Sequence, residues 1–123
     1  MDREVVTSPP TLGSMRVILA SKSPARRETL RAAGLRPEVI VSGVDEDSIT
    51  AERPSDLVQA LADAKAEAVA QRLRPTGPTA LIACDSMLEF EGASHGKPGS
   101  ATAVIKQWFR MRGQRGVLHT GHH

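Results

Sequence analysis

A short apolar run of β character, Arg16-Val-Ile-Leu-Ala20, stops directly on Ser21-Lys-Ser-Pro24 and gives way to a helical stretch. This commits the chain to a strand, a tight turn and a helix laid end to end. Ser23 suits an N-cap, Pro24 the first helical position and Gly34 a C-terminal cap, so a helix is expected over residues 24–33. The alternation then repeats. Residues 37–41 read as a second strand leading into an acidic loop over residues 43–48. A long helix starts near Ser55 and ends before Pro75, and residues 79–83 read as a buried strand ending on Cys84-Asp85-Ser86. Leu88 and Phe90 alternate with Glu89 and Glu91 as in a half-exposed strand, and a turn-rich loop follows through Pro98. Ser100 caps a last helix with Val104, Ile105, Trp108 and Phe109 on one side, and residues 116–120 begin another strand. Strands alternating with helices predict an α/β sheet, whose ligands gather at the carboxyl ends of strands. Lys22, Asp85 and the Gly43 loop all fall at such ends.

The 123 residues suffice for one domain, expected over residues 15–123 behind a disordered leader, residues 1–14. With one Trp, two Phe and no Tyr, its core must be aliphatic. Charge is blocked: residues 1–36 carry seven Lys/Arg against three acids, residues 38–91 four against eleven, and residues 92–123 five against none. Such a pattern fits a solvated surface of mixed sign, and equally a site that joins basic phosphate ligands to acidic metal ligands. The lone Cys84 excludes an internal disulfide framework and suits a reducing cytosol. The leader lacks the apolar core of a signal peptide, and no run approaches the ~18 apolar residues of a membrane span. A cytoplasmic protein is expected.

Several residues carry candidate chemistry. The turn after the first strand offers the hydroxyls of Ser21 and Ser23, free N–H groups, a positive dipole end and Arg26 and Arg27. It reads either as an anion site or as a plain helix cap with solvated arginines. The two arginines diverge by about 100° on the helix and cannot face the same way. Lys65 lies in the middle of the apolar arc formed by Leu57, Val58, Leu61, Ala68 and Val69, opposite Asp56, Gln59, Asp63 and Glu67. It either snorkels past the core or aims an ammonium at phosphate, and the second reading predicts that it shares a cleft with Asp85 and Lys97. Asp85 can hold a metal, accept a proton from water, or form a turn. Glu46, between Asp45 and Asp47, belongs to an acidic turn or to a Mg²⁺ or Mn²⁺ site. Lys97 is one cation on the rigid loop Gly96-Lys-Pro98. His119, His122 and His123 receive no role.

Together Leu19-Ala-Ser-Lys-Ser-Pro-Ala-Arg26, Val44-Asp-Glu46, Ala64-Lys-Ala66, Ala83-Cys-Asp85, Gly96-Lys-Pro98 and His119-Thr-Gly121 resemble, in order, the motifs of the Maf family, also called septum formation proteins. The wording of Cys84-Asp-Ser-Met87 and Met111-Arg-Gly113 is similar to the actinobacterial branch. The resemblance implies a Maf/inosine-triphosphatase-like mixed sheet flanked by helices. It also implies a divalent cation, Mg²⁺ or Mn²⁺, and hydrolysis of a nucleoside triphosphate to the monophosphate and pyrophosphate, with housecleaning of non-standard nucleotides as a role. On it, Asp85 is the catalytic carboxylate and proton acceptor, Ser21, Arg26, Lys65 and Lys97 bind substrate phosphates, and Glu46 with Asp85 holds the metal.

Two departures from the family pattern stand out. Ala25 separates Ser-Pro from Arg26, leaving Arg27 outside the motif, and family members continue past His-Thr-Gly with further strands, a helix and a glutamine-bearing loop. The chain is therefore expected to be incomplete at its C-terminus, weak in activity and prone to associate, a homodimer included. Two other readings compete: a remnant that binds nucleotide or self-associates without turnover, and a nucleic-acid binder. The acidic centre and the scarcity of aromatics count against the last, and neither nucleic acid nor membrane is an expected partner.

Overall fold

The computed structural model describes residues 15–123. The leader expected over residues 1–14 lies outside them. In chain order the elements are β1 (Arg16–Leu19), α1 (Pro24–Ala32), β2 (Glu38–Val39), a 3₁₀ turn (Glu46–Ser48), α2 (Pro54–Ala70), β3 (Thr79–Ile82), β4 (Cys84–Phe90), β5 (Ala93–His95), α3 (Ala101–Met111) and β6 (Val117–His122). Strands fall into a parallel sheet, β2-β1-β3, and an antiparallel sheet, β5-β4-β6. The α/β expectation with parallel and antiparallel pairing therefore holds.

Local chemistry sets the helix ends. Ser23 Oγ accepts from the Arg26 amide and Pro24 opens α1, while Ser100 Oγ accepts from the Ala103 amide to open α3. The β4–β5 hairpin turns on Glu91 and Gly92, at φ 53° and 72°. Two consecutive positive φ values in a two-residue loop give the twist that antiparallel strands require, and glycine adopts one of them without steric cost.

Ile18, Leu19, Val58, Leu61 and Val69 are fully buried, and Ile18, Ala20, Ala66, Val69 and Ala83 form one contiguous cluster. The core is aliphatic, as composition required, with Phe90 its one buried aromatic among the described residues. Each buried Val, Leu or Ile contributes about 1.5–3 kcal/mol relative to an exposed one. α2 bridges the two sheets, reaching β3, β4 and β6. The approach to β6 is close because Gly121 has no side chain: a Cβ there would sit 2.5 Å from the Val58 carbonyl oxygen.

Two expectations change. The strand of residues 79–83 was to end before Asp85, but the chain crosses from one sheet to the other at Ala83. Asp85 and Ser86 then lie within β4, opposite Gly121 and Thr120. Ladder bonding holds the crossing, since Ala83 and His123 exchange both backbone hydrogen bonds at 2.9 and 2.8 Å. The second strand shortens to Glu38–Val39. The apolar side of α3 is open: Val104, Ile105, Trp108 and Phe109 are 50–71% exposed. Among the described residues no helix is long and apolar enough to cross a membrane.

Candidate active site

The carboxyl end of β1, the loop after β2, α2, the start of β4, the β5–α3 loop and α3 enclose a cleft of about 1040 Å³. Four cations and four acids line it: Lys22, Arg26, Lys65 and Lys97, with Asp45, Glu46, Asp47 and Asp85. Ser21, Arg26, Glu46, Lys65, Asp85 and Lys97 all meet here, and Lys65 shares the cleft with Asp85 and Lys97 as expected. A smaller cavity at the end of α1, lined by Arg31, Gly34, Leu35, Arg36 and Pro37, holds none of them.

Lys65 organises the acidic side. Its helical position, between the buried residues Leu61, Ala62, Ala66 and Val69, carries the side chain past the apolar face of α2 until only 12% remains exposed. There its ammonium donates to the Asp85 carboxylate and to Glu46 Oε1, the latter at 2.6 Å. Burial alone pushes this ammonium down. Its hydrogen bonds to Asp85 and Glu46 and their negative charge outweigh that, and the net direction is upward from the ordinary lysine value. Lys65 is thus charged at neutral pH. The triad of one cation and two carboxylates carries a net negative charge in a partly desolvated wall, which favours a further cation beside it.

Glu46 reaches Lys65 because the 3₁₀ turn is fixed at both sides. Asp45 caps it by accepting from the Asp47 amide, and Arg72 of the turn after α2 donates to the carbonyls of Val41 and Ser42, both at 2.8 Å. In the run Asp45-Glu-Asp47, the first residue therefore shapes the turn and Glu46 serves the cleft.

The basic side is built around Arg26. Its Nη1 donates to Ser21 Oγ at 3.1 Å and its Nη2 to Ser86 Oγ at 3.4 Å, while Ser86 Oγ lies 2.8 Å from Thr120 Oγ1. Ser21 is 5% exposed and also accepts from the Ser23 amide at 3.1 Å. Ser21 thus holds the turn and the guanidinium together, and Ser23 is the helix cap. Arg27 is exposed on the diverging face of α1. Sequence reasoning missed Ser86 and Thr120. A hydroxyl directly after Asp85 was the signal for the first; the second becomes visible only once β4 and β6 are paired.

Asp85 and Glu46 are hard oxygen donors sharing one cation, a pair whose chemistry fits a hard divalent cation such as Mg²⁺ or Mn²⁺. Among the described residues no group of three or more His, Cys, Asp or Glu is placed to hold a metal by itself. His119 instead pairs with Glu89 at 2.7 Å and His123 with Asp63 at 2.8 Å. Burial pushes the Cys84 thiol up, which makes it a poor nucleophile at neutral pH.

The family described as Maf-like protein matches residues 16–123. A nucleoside triphosphate pyrophosphatase of Salinispora tropica is 53% identical over 110 residues, covering 88% of this chain and 49% of that protein. One from Synechococcus sp. (strain CC9605) is 54% identical over 108 residues, covering 85% and 59%, and one from Streptomyces coelicolor is 50% identical over 107 residues, covering 87% and 52%. The chain spans about half the length of these curated relatives.

Proposed function

Because the chain belongs to the Maf-like protein family, we propose that its cleft serves hydrolysis of a nucleoside triphosphate to the monophosphate and pyrophosphate. The observation that carries this reading is the Lys65 contact to both Asp85 and Glu46, in a cleft that Lys22, Arg26 and Lys97 also line. Triphosphate is strongly anionic, and with two of the four acids engaged by Lys65 the cleft still offers Lys22, Arg26 and Lys97 to it.

In this reading Arg26, Lys97 and the N-terminal turn of α1 hold the phosphates, with Ser21 fixing the guanidinium. Incoming phosphate oxygens compete with the carboxylates for the Lys65 ammonium and release Asp85 for proton transfer. Water attacks the α-phosphorus, the α–β bridging P–O bond breaks, one water proton passes to Asp85, and pyrophosphate leaves with the bond's electron pair. Glu46 and Asp85 would hold Mg²⁺ or Mn²⁺, which when bound supplies neutralisation of phosphate charge. The cytosolic setting, the unpaired Cys84 and a housecleaning role toward non-standard nucleotides belong to the same proposal.

Release of pyrophosphate from a panel of nucleoside triphosphates with Mg²⁺ or Mn²⁺ tests it, with Asp85→Asn as the control. No metal-dependent release from any of them rejects the reading. A second reading, nucleotide binding or self-association without turnover, is favoured by the exposed apolar side of α3. Saturable nucleotide binding with no product would select it.

A further inference from the structure

We propose that Val104, Trp108 and Met111 of α3, with Leu118 of β6, form the seat of the nucleobase. This rests on the reading of the cleft as a nucleoside triphosphate site and adds to it where the uncharged end of the substrate lies. The three helical residues are spaced i, i+4 and i+7, so they share one face, and all four line the same cleft as Lys65, Asp85 and Arg26. The neighbouring apolar residues Ile105 and Phe109 do not line it.

The cleft joins two kinds of lining: charged side chains from α1, α2, β4 and the loops after β1, β2 and β5, and apolar ones that include Val104, Trp108 and Met111 of α3 and Leu118 of β6. A nucleotide has the same division, a polyanion joined through a sugar to a flat aromatic ring. Trp108 is 71% exposed and Leu118 68%, an open apolar surface within a cleft that eight charged side chains also line. An indole offers a face on which any base can stack, and such a platform tolerates different bases because each has a π surface.

Trp108 is the one tryptophan of the chain, so intrinsic fluorescence reports this position alone. The full chain, with Mg²⁺, is titrated with an α,β-methylene nucleoside triphosphate and separately with inorganic tripolyphosphate, binding being followed in parallel by calorimetry. The expected result is saturable quenching by the nucleotide and little change with tripolyphosphate, although both bind. Trp108→Leu should weaken nucleotide about tenfold or more and leave tripolyphosphate unchanged, Trp108→Phe should recover most of the loss, and Lys65→Met should weaken both. Unchanged nucleotide affinity in Trp108→Leu overturns the proposal, as does equal quenching by the two ligands or a Phe variant as weak as the Leu variant. If tripolyphosphate binds but the nucleotide gains nothing over it, the base seat fails while the phosphate reading stands. If neither binds, the pyrophosphatase reading fails and takes the base seat with it. Fluorescence that follows protein concentration and not nucleotide, with a dimer in sedimentation, would assign this wall to a second copy of the chain and overturn the proposal.

Discussion

The Lys65 ammonium on α2 donates to the Asp85 carboxylate on β4, joining a helix to a strand of the antiparallel sheet across the wall of the cleft. Both side chains are nearly covered, 12% and 11% exposed, and Glu46 adds a second carboxylate to the same cation.

Lys65→Met should leave Asp85 and Glu46 facing each other without a cation. The expected loss is about 1–3 kcal/mol, below the cost at a sealed site because the cleft admits water. Added Mg²⁺ should restore part of it by supplying positive charge. Denaturant midpoints with and without Mg²⁺ measure both effects, and an unchanged midpoint without metal would remove Lys65 from its structural role.

Asp85→Asn should keep the fold, since an amide of the same shape still accepts from Lys65, yet lower pyrophosphate release about 10²–10⁴-fold. Circular dichroism and product assay on the same sample separate the two. Undiminished turnover would move the proton acceptor to another carboxylate, with Glu46→Gln the next variant to assay.

Gly121→Ala should destabilise by about 1–3 kcal/mol, because its methyl group would meet backbone and not a movable side-chain tip. The nearest atoms are the Val58 carbonyl oxygen and carbon at 2.5 and 2.6 Å and the Gln59 nitrogen at 2.7 Å. Gly116→Ala, which meets the ends of Leu88 and Met111 at 3.1 Å, should cost less. Equal midpoints for the two variants would contradict the α2–β6 approach.

Glu38 pairs with Arg16 through two bonds of 2.9 Å, Nε to Oε2 and Nη2 to Oε1, linking β1 to β2. The hydrogen bonds from Arg16 hold the Glu38 carboxyl below its usual value. Its contribution is therefore present above the ordinary glutamate pKa of about 4.3 and is lost as pH falls through the lower folded value. Carboxyl NMR should follow that titration, and Arg16→Gln should return it to the ordinary range. A wild-type Glu38 already titrating there would show that the pair does not persist in solution.

Helix ends were legible in the sequence because capping acts over three or four residues: Ser23 meets the Arg26 amide and Ser100 the Ala103 amide without any help from the rest of the chain. Lys65 was legible as an exception, a charge within an apolar periodicity. Its partners were harder, because periodicity says which face a residue takes and not what lies across from it. The tertiary structure supplied Asp85 and Glu46 by bringing β4 and the 3₁₀ turn to α2. The crossing at Ala83 was hidden for a related reason: one continuous apolar run can serve two sheets, and only pairing of β4 with β6 divides it.

What the sequence determined by itself was the order of strands and helices, the aliphatic core and the set of charged and hydroxyl residues that meet in the cleft, since these depend on local backbone preference, side-chain volume and charge. The fold decided how that set is divided: Arg26 held by hydroxyls from the end of β1 and from β4, and Lys65 held by two carboxylates, in a cleft that apolar residues of α3 and β6 also line. Contacts such as Arg26 to Ser86 and Ser86 to Thr120 join residues sixty and thirty-four positions apart. Such contacts depend on sheet register and helix docking, which are set by burial summed over the whole core and not by any short stretch of chain.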